Sequence, residues 1–300
     1  MKSLISISDL TKDEIVNIIQ LALRLKEERS KGVFSNKLKH KTLGMIFEKP
    51  STRTRTAFEV AVVELGGYPL YLNWNDLQLG RGEAVADTAR VLSRYLSGII
   101  MRANSHSTVI EMAANASVPI INALTDLEHP CQLLADLMTI HEKKGAVDGM
   151  KLAWIGDGNN VCNSAVLACA IMGMSIDIAC PPGYEPNAEI VNRGQQLCQV
   201  RVLNDPLEAA TGADILYTDT WISMGDEDAS AQRLRDFSIY RIDEQVLGVA
   251  KNEAIVLHCL PAHRGWEITD EVIEGPHSVV FDQAENRLHT QKALLLELLT

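Results

Sequence analysis

The segment FEKPSTRTRTAFE, residues 47–59, sets Arg53 and Arg55 among the hydroxyls of Ser51, Thr52, Thr54 and Thr56. Such a cluster can grip an anion if a helix begins there. Residues 42–47 carry a strand pattern, and Ala57, Phe58, Ala61, Val62 and Leu65 form the buried stripe of a helix ended by Gly66 and Gly67. Between them, Ser51 is the natural N-cap, since its hydroxyl can accept from a first-turn amide. A capping box would put Glu or Gln at position 54, but Thr54 stands there, and a carboxylate would repel a bound anion. First-turn N–H groups, the positive end of the helix dipole, three hydroxyls and Arg53 converge, which predicts a phosphate seat. No G-x-x-x-x-G-K-[ST] loop or magnesium carboxylate cluster accompanies it, which argues against a Walker-type nucleotide kinase.

Other stretches carry reactive groups. In ALTDLEHPCQLLADLMTI, Pro130 suits the first helical position, so His129 sits beside a helix N-terminus. The dipole there disfavours imidazolium, leaving a neutral donor suited to polarising a carbonyl. Arg102 ends the preceding strand in IIMRANSH. HCLPAHRG offers His258, Cys259 and His263, which satisfy neither a cysteine-protease pair nor a four-ligand zinc site; alone, Cys259 reads as a small buried hydrophobe. WIGDGNNVCNS imitates a dinucleotide loop through Gly156 and Gly158, but Val161 occupies the place of the third glycine. Asn159 and Asn160 instead present amides suited to a small zwitterion. LYTDTWISMGDE puts Asp219 at a strand end, before a loop with Ser223, Met224 and Gly225; by itself Asp219 would pass for a turn-former.

The elements that must position these groups are also legible. Thr11 and Glu14 fit a capping box, with Leu10 and Ile15 placed as a staple. Ile15, Ile18, Ile19, Ala22 and Leu25 then recur at helical spacing up to Gly32. Short apolar runs at 42–47, 69–72, 98–101 and 118–123 alternate with helical patterns. The alternation resumes at 151–155, 175–179, 215–218 and 254–257, and 291–299 forms a last apolar helix. Strand–helix alternation predicts an α/β chain of two doubly wound parallel-sheet domains with crossover helices. The polar stretch 143–149, ending in Gly149, marks the boundary, giving domains 1–145 and 146–300.

A formal net charge of -11 and a pI near 5.2 argue against a nucleic-acid surface, so any anion is caught by a local site rather than by the global field. No apolar run reaches the length of a membrane span. The opening MKSLISISDLTKDE lacks a signal-peptide pattern, and a cytoplasmic location is expected. The cysteines at 131, 162, 169, 180, 198 and 259 form no CxxC pair and are expected as reduced thiols.

Taken together, FEKPSTRTRTAFE, QLGRGE, DTARVLSRY, HPCQ, GDGNN, DTWISMG, HCLPAHRG and AENRLHTQKALL resemble the ornithine carbamoyltransferases over nearly the whole chain, in the right order. The resemblance implies transfer of a carbamoyl group from carbamoyl phosphate to the δ-amine of L-ornithine, without metal or cofactor. Ser51, Thr52, Arg53 and Thr54 would bind the phosphate. Arg102 and the HPCQ residues His129, Pro130, Cys131 and Gln132 would hold the carbamoyl group, with Arg287 and the backbone at Cys259 and Leu260. Asn160, Asp219, Ser223 and Met224 would bind ornithine. Arg102, His129, Asp219 and Cys259 would carry the chemistry, Cys259 by orienting the amine rather than attacking. Gln78, in QLGRGE, would reach the neighbouring subunit's site in a homotrimer.

The last helix, about 286–300, would return to the first domain, and loop 223–228 would become ordered as ligands close the domains. Putrescine and acetylornithine enzymes are expected to differ in the acceptor loop, and an aspartate enzyme to lack HCLP and SMG. A ligand sensor would have lost a reactive residue, and none is missing. Biosynthesis of arginine is the default direction.

Overall fold

The computed structural model describes residues 2–222 and 230–300. Two compact units emerge: Met1–Met138 with Glu285–Thr300, and Thr139–Ala284. Each is built on its own all-parallel sheet, as the strand–helix alternation predicts.

The first unit holds β1 (Thr42–Phe47), β2 (Tyr68–Asn73), β3 (Gly98–Arg102) and β4 (Ile120–Leu124), ordered β2-β1-β3-β4. β3 is buried along its whole length and β1 along all but its first residue, as sheets covered on both faces require. The helices α1 (Lys12–Ser30), α2 (Thr52–Glu64), α3 (Val85–Leu92) and α4 (His106–Asn115) surround it, followed by α5 (Pro130–Lys144). The capping box opening α1 forms: Thr11 Oγ1 accepts from Glu14 N at 3.2 Å, and the Glu14 carboxylate accepts from Thr11 N at 2.8 Å.

The second unit orders its strands β7-β6-β5-β8-β9, namely β5 (Lys151–Ile155), β6 (Ser175–Ala179), β7 (Val200–Leu203), β8 (Ile215–Thr218) and β9 (Ile255–His258). Its helices are α6 (Asn160–Met172), α7 (Ala188–Gln195), α8 (Pro206–Ala210), α9 (Ser230–Asp236), α10 (Glu244–Val249) and α11 (Asp270–Ile273). The final helix, α12 (Val280–Leu299), starts here and runs into the first unit. There it packs back as the resemblance implies: Leu294 and Leu295 are fully buried, and Lys292 Nζ reaches Glu64 of α2 at 2.9 Å.

Strand ends differ from the sequence reading by no more than two residues. β7 is the real omission. It lies at the sheet edge with only partial burial, so Arg201 interrupts the apolar signal that marks the central strands. α12 begins before residue 286, because Val280, which opens it, is buried in the second unit's core.

Each strand order contains a switch point. The first sheet departs from β1 to β2 and then resumes on β1's other side with β3; the second does the same with β5 and β8. Crevices at the carboxyl ends of strands flanking such a point are where open α/β sheets bind ligands. The β1 and β3 ends carry the Ser51–Thr54 turn and Arg102; the β5 and β8 ends carry Asn159 and Asp219.

Candidate active site

The first cluster grows from the β1–α2 turn. Ser51 caps α2 by accepting from Thr54 N at 3.3 Å, and the first turn contains no acidic residue. Arg55 is taken up locally: it pairs with Glu59 at 2.9 Å, one helical turn on, and lies 3.6 Å over the Tyr71 ring. Arg53 stands alone in this respect, with no ion pair among the described residues. A cation in the first turn opposes the helix dipole. Its placement in a turn rich in hydroxyls makes electrostatic sense when an anion occupies the turn.

Behind the turn, Thr54 is buried and its Oγ1 accepts from Arg287 Nη2 at 2.9 Å. Arg287 Nη1 donates to Gln132 Oε1 at 2.7 Å, and Gln132 Nε2 donates to the buried Asp136 at 2.8 Å. This chain orients α12, α5 and α2 with respect to one another within the first unit. Arg102 is aimed by a register shift in the β3–β4 pairing between Met101 and Arg102. Glu48 steadies the same corner, donating N–H to Arg102 O at 2.9 Å and accepting from Asn104 N at 2.6 Å.

His129 is buried immediately before Pro130, the first residue of α5. Burial first, then the charges of Arg287 and Arg102, lower its pKa well below the ordinary 6.5. This favours the neutral imidazole that the sequence reading expects, with burial and cationic neighbours acting in the same direction as the helix dipole. Burial also pushes the Cys131 thiol up to about 12. That thiol donates to Asn122 O at 3.3 Å.

The second cluster belongs to the other unit. Cys259 Sγ donates to Asp219 Oδ1 at 2.7 Å, Thr220 N donates to the same oxygen at 2.8 Å, and Asn159 Nδ2 donates to Asp219 Oδ2 at 2.7 Å. Asn159 also caps α6 through Val161 N and Cys162 N. Leu260 sits in the left-handed region at φ 57°, a costly conformation for a branched residue. Its N–H donates to His258 Nδ1 at 2.9 Å, so the His258 proton lies on Nε2, which donates to the buried Glu267 at 3.1 Å. Glu267 also accepts from His263 N at 2.5 Å, and His263 Nδ1 meets Thr220 Oγ1 at 2.9 Å.

Ligand atoms of Asp219, His258 and Cys259 lie within 4.8 Å of one another. Both His258 nitrogens are already engaged, however, so in this arrangement the trio presents a hydrogen-bond network rather than a metal cage.

The second glycine of GDGNN has a packing reason. A Cβ at Gly158 would fall into the backbone of residues 184–186, 2.6 Å from Tyr184 O, and Gly158 N donates to that carbonyl at 2.9 Å. The loop serves chain-on-chain packing here.

Two family profiles span the chain. The one described as "Aspartate/ornithine carbamoyltransferase, carbamoyl-P binding domain" matches residues 2–142, and "Aspartate/ornithine carbamoyltransferase, Asp/Orn binding domain" matches residues 148–298. The chain belongs to the aspartate/ornithine carbamoyltransferase family. Among its relatives in that family, the ornithine carbamoyltransferase of Archaeoglobus fulgidus is 56% identical over 300 residues, covering 100% of this chain and 98% of that one. The one from Methanosarcina mazei is 56% identical over 299 residues, with 99% of both chains covered. The structure of the Pyrococcus furiosus ornithine carbamoyltransferase matches with a TM-score of 0.96 at 47% identity, over 99% of this chain and 97% of that one. The anabolic ornithine carbamoyltransferase of Campylobacter jejuni matches with a TM-score of 0.93 at 44% identity, over 99% of each chain.

In this carbamoyltransferase chain the sequence-derived residues fall into two groups. Thr54, Gln132 and Arg287 are joined by hydrogen bonds, and Arg287 and Arg102 are both close enough to His129 for their charges to act on it. Ser51, Thr52 and Arg53 line the same turn, and Pro130 starts α5. Asp219 and Cys259 are in direct contact, Leu260 follows in the same loop, and Asn160 begins α6 beside Asn159. Gln78 lies apart on an exposed turn of 3-10 helix, Gln78–Arg81. Ser223, Met224 and the 223–228 loop lie outside the described residues.

The sequence reading missed Asp136, Glu48 and Glu267 and gave His258 no specific duty; it offered the Asn159 amide to a zwitterion, whereas the structure spends it on Asp219 and on capping α6. Asn159 had a signal, an Asn opening a helix pattern after a strand. Glu267 had none, since its partners come together only on folding.

Proposed function

We propose that this chain transfers the carbamoyl group of carbamoyl phosphate to the δ-amine of L-ornithine, giving L-citrulline and phosphate. The observation that carries the reading is Arg53, without an ion-pair partner among the described residues, in the acid-free first turn of α2, backed by the Arg287–Thr54–Gln132 chain. It is the seat the phosphate of an acyl phosphate needs. In this reading residues 1–145 form the carbamoyl-phosphate domain and 146–300 the ornithine domain, the last helix excepted. Ser51, Thr52, Arg53 and Thr54 hold the phosphate; Arg102, His129, Gln132 and Arg287 hold the carbamoyl group.

The neutral δ-amine attacks the carbamoyl carbon, and a tetrahedral oxyanion forms. Arg102, Thr54 and neutral His129 are preorganised donors for that oxygen, each typically worth about 3 kcal/mol. The C–O bond to phosphate then breaks, phosphate leaves with the bonding pair, and the nitrogen sheds a proton. Asp219 and Cys259, already in contact, are the pair to orient the amine and receive that proton. Holding both substrates together lowers the barrier further by several kcal/mol.

The acceptor is argued from charge. Asp219 faces its ligand with a carboxylate, which attracts the cationic groups of a diamino acid and repels the second carboxylate of aspartate. Relatives at more than half identity carry the ornithine name. A biosynthetic direction, a cytoplasmic setting and a homotrimer with Gln78 lent to a neighbour complete the proposal; the similarity to an enzyme described as anabolic supports the direction.

The test is product formation from carbamoyl phosphate with L-ornithine, L-aspartate, putrescine and N-acetylornithine in parallel. Citrulline formed far faster than the other products is expected. Preference for any other acceptor would overturn the assignment.

A further inference from the structure

The acceptor cluster stands on two turns distant in sequence: one after β5, with Asp157 and Asn159, and one after β8, with Asp219 and Trp221. The Asn159–Asp219 bond joins them directly. A second link runs through Arg233 of α9. Its Nε donates to Trp221 O at 2.5 Å, while Nη2 pairs with Asp157 Oδ2. Each residue so held lies two positions from a member of the cluster.

The surroundings fix the guanidinium itself. It lies 4.8 Å from the Tyr184 ring centroid and 5.3 Å from that of Phe237. Phe237 stacks on Trp221 at 5.7 Å, and Tyr184 OH donates to Asp236 at 2.9 Å. Asp157 is anchored in turn, its carbonyl accepting from Trp154 Nε1 at 2.9 Å. The ion-paired side chains of Arg233 and Asp157 are 14% and 15% exposed, so salt screens them less than an open surface pair.

We infer that Arg233 is a positioning residue for the acceptor amino acid: one planar fork holds Asp157 and Trp221, and thereby sets the Asn159–Asp219 pair, without touching substrate. The inference rests on the ornithine reading above. Lysine cannot reproduce it, because an ammonium has no fixed fork to serve a carbonyl and a carboxylate in one plane. The other two cluster members are placed independently, Cys259 by the His258–Glu267 network and Thr220 by His263. Loss of Arg233 therefore disturbs the Asn159–Asp219 pair while Cys259 and Thr220 keep supports of their own.

Steady-state kinetics of full-length Arg233→Lys, Arg233→Gln and Asp157→Asn provide the test, with the melting temperature of each recorded. All three are expected to raise KM for ornithine about tenfold or more, as misplacement of a positioning group does, with KM for carbamoyl phosphate within about twofold of the parent. The Arg233→Gln/Asp157→Asn double variant is expected to cost less than the product of the single effects, because both act through one contact. A merely structural Arg233 predicts lower melting temperatures and less active protein with both KM values unchanged, and that result would overturn the inference. If Arg233→Gln does not fold, Arg233→Lys and Asp157→Asn decide the matter alone. A parent enzyme that forms no citrulline removes the ornithine reading and this inference together, a failure visible before any variant is made.

Discussion

Arg287 donates to Gln132 Oε1 at 2.7 Å and to Thr54 Oγ1 at 2.9 Å, so one residue of the last helix steers side chains on both helices at the proposed anion seat. Arg287→Lys keeps the charge and loses the fork. A hydrogen bond from a charged donor contributes about 2 kcal/mol, so KM for carbamoyl phosphate should rise about 30-fold. Ornithine KM at saturating carbamoyl phosphate should change far less. Initial-rate measurements with each substrate varied will show whether the effect is confined in this way.

Cys259 donates its thiol proton to Asp219 at 2.7 Å. Cys259→Ala should lower kcat and alter its pH profile, whereas Cys259→Ser should retain part of the rate because a hydroxyl can still donate to the carboxylate. A profile identical to the parent's in the alanine variant would take Cys259 out of the proton path.

His129 gives stability a predictable pH dependence. Its native pKa is depressed below the ordinary 6.5, so above that value neither folded nor unfolded chain binds the proton and the contribution is flat. As pH falls below it, the unfolded chain takes a proton that the native chain refuses. Stability is lost at up to about 1.4 kcal/mol per pH unit until the native pKa is reached. His289, whose pKa is also lowered chiefly by burial, adds a loss of the same sign. Urea unfolding of His129→Asn between about pH 7.5 and about pH 5 should therefore show a shallower acid decline than the parent, though not a flat one.

Gln78, exposed on its 3-10 turn, is proposed to serve a neighbouring subunit. Arg53→Ala and Gln78→Ala, each nearly inactive alone, should regain activity when unfolded and refolded together. Random mixing leaves about one site in four with both residues intact. No recovery in mixed particles of confirmed trimeric mass would return Gln78 to a role within its own chain.

The architecture was readable because buried parallel strands are short continuous apolar runs, and their crossover helices carry a different period. Thr11 with Glu14, and Ser51 before a helix stripe, set helix starts that the structure reproduces. β7 escaped because it is short and only partly buried, with Arg201 interrupting its apolar run. In the candidate site, whole motifs were visible but their wiring was not. Nothing in HCLPAHRG says that His258 spends its proton on Glu267, or that Leu260 is held in the left-handed region by His258. The four-residue spacing of Arg55 and Glu59 was a signal the sequence reading left unused: it separates the committed Arg55 from Arg53.

Because α12 begins in one compact unit and finishes in the other, the polypeptide cannot be divided at any single peptide bond into two complete parts. A fragment stopping near residue 145 would lack Arg287 at the Thr54 turn and leave Glu64 without Lys292. The core surface that Leu294 and Leu295 cover would lie open to water. Anyone wishing to produce the front half alone must graft Glu285–Thr300 back onto it, and a circularly permuted gene that joins this tail ahead of the first helix is the economical way to do so.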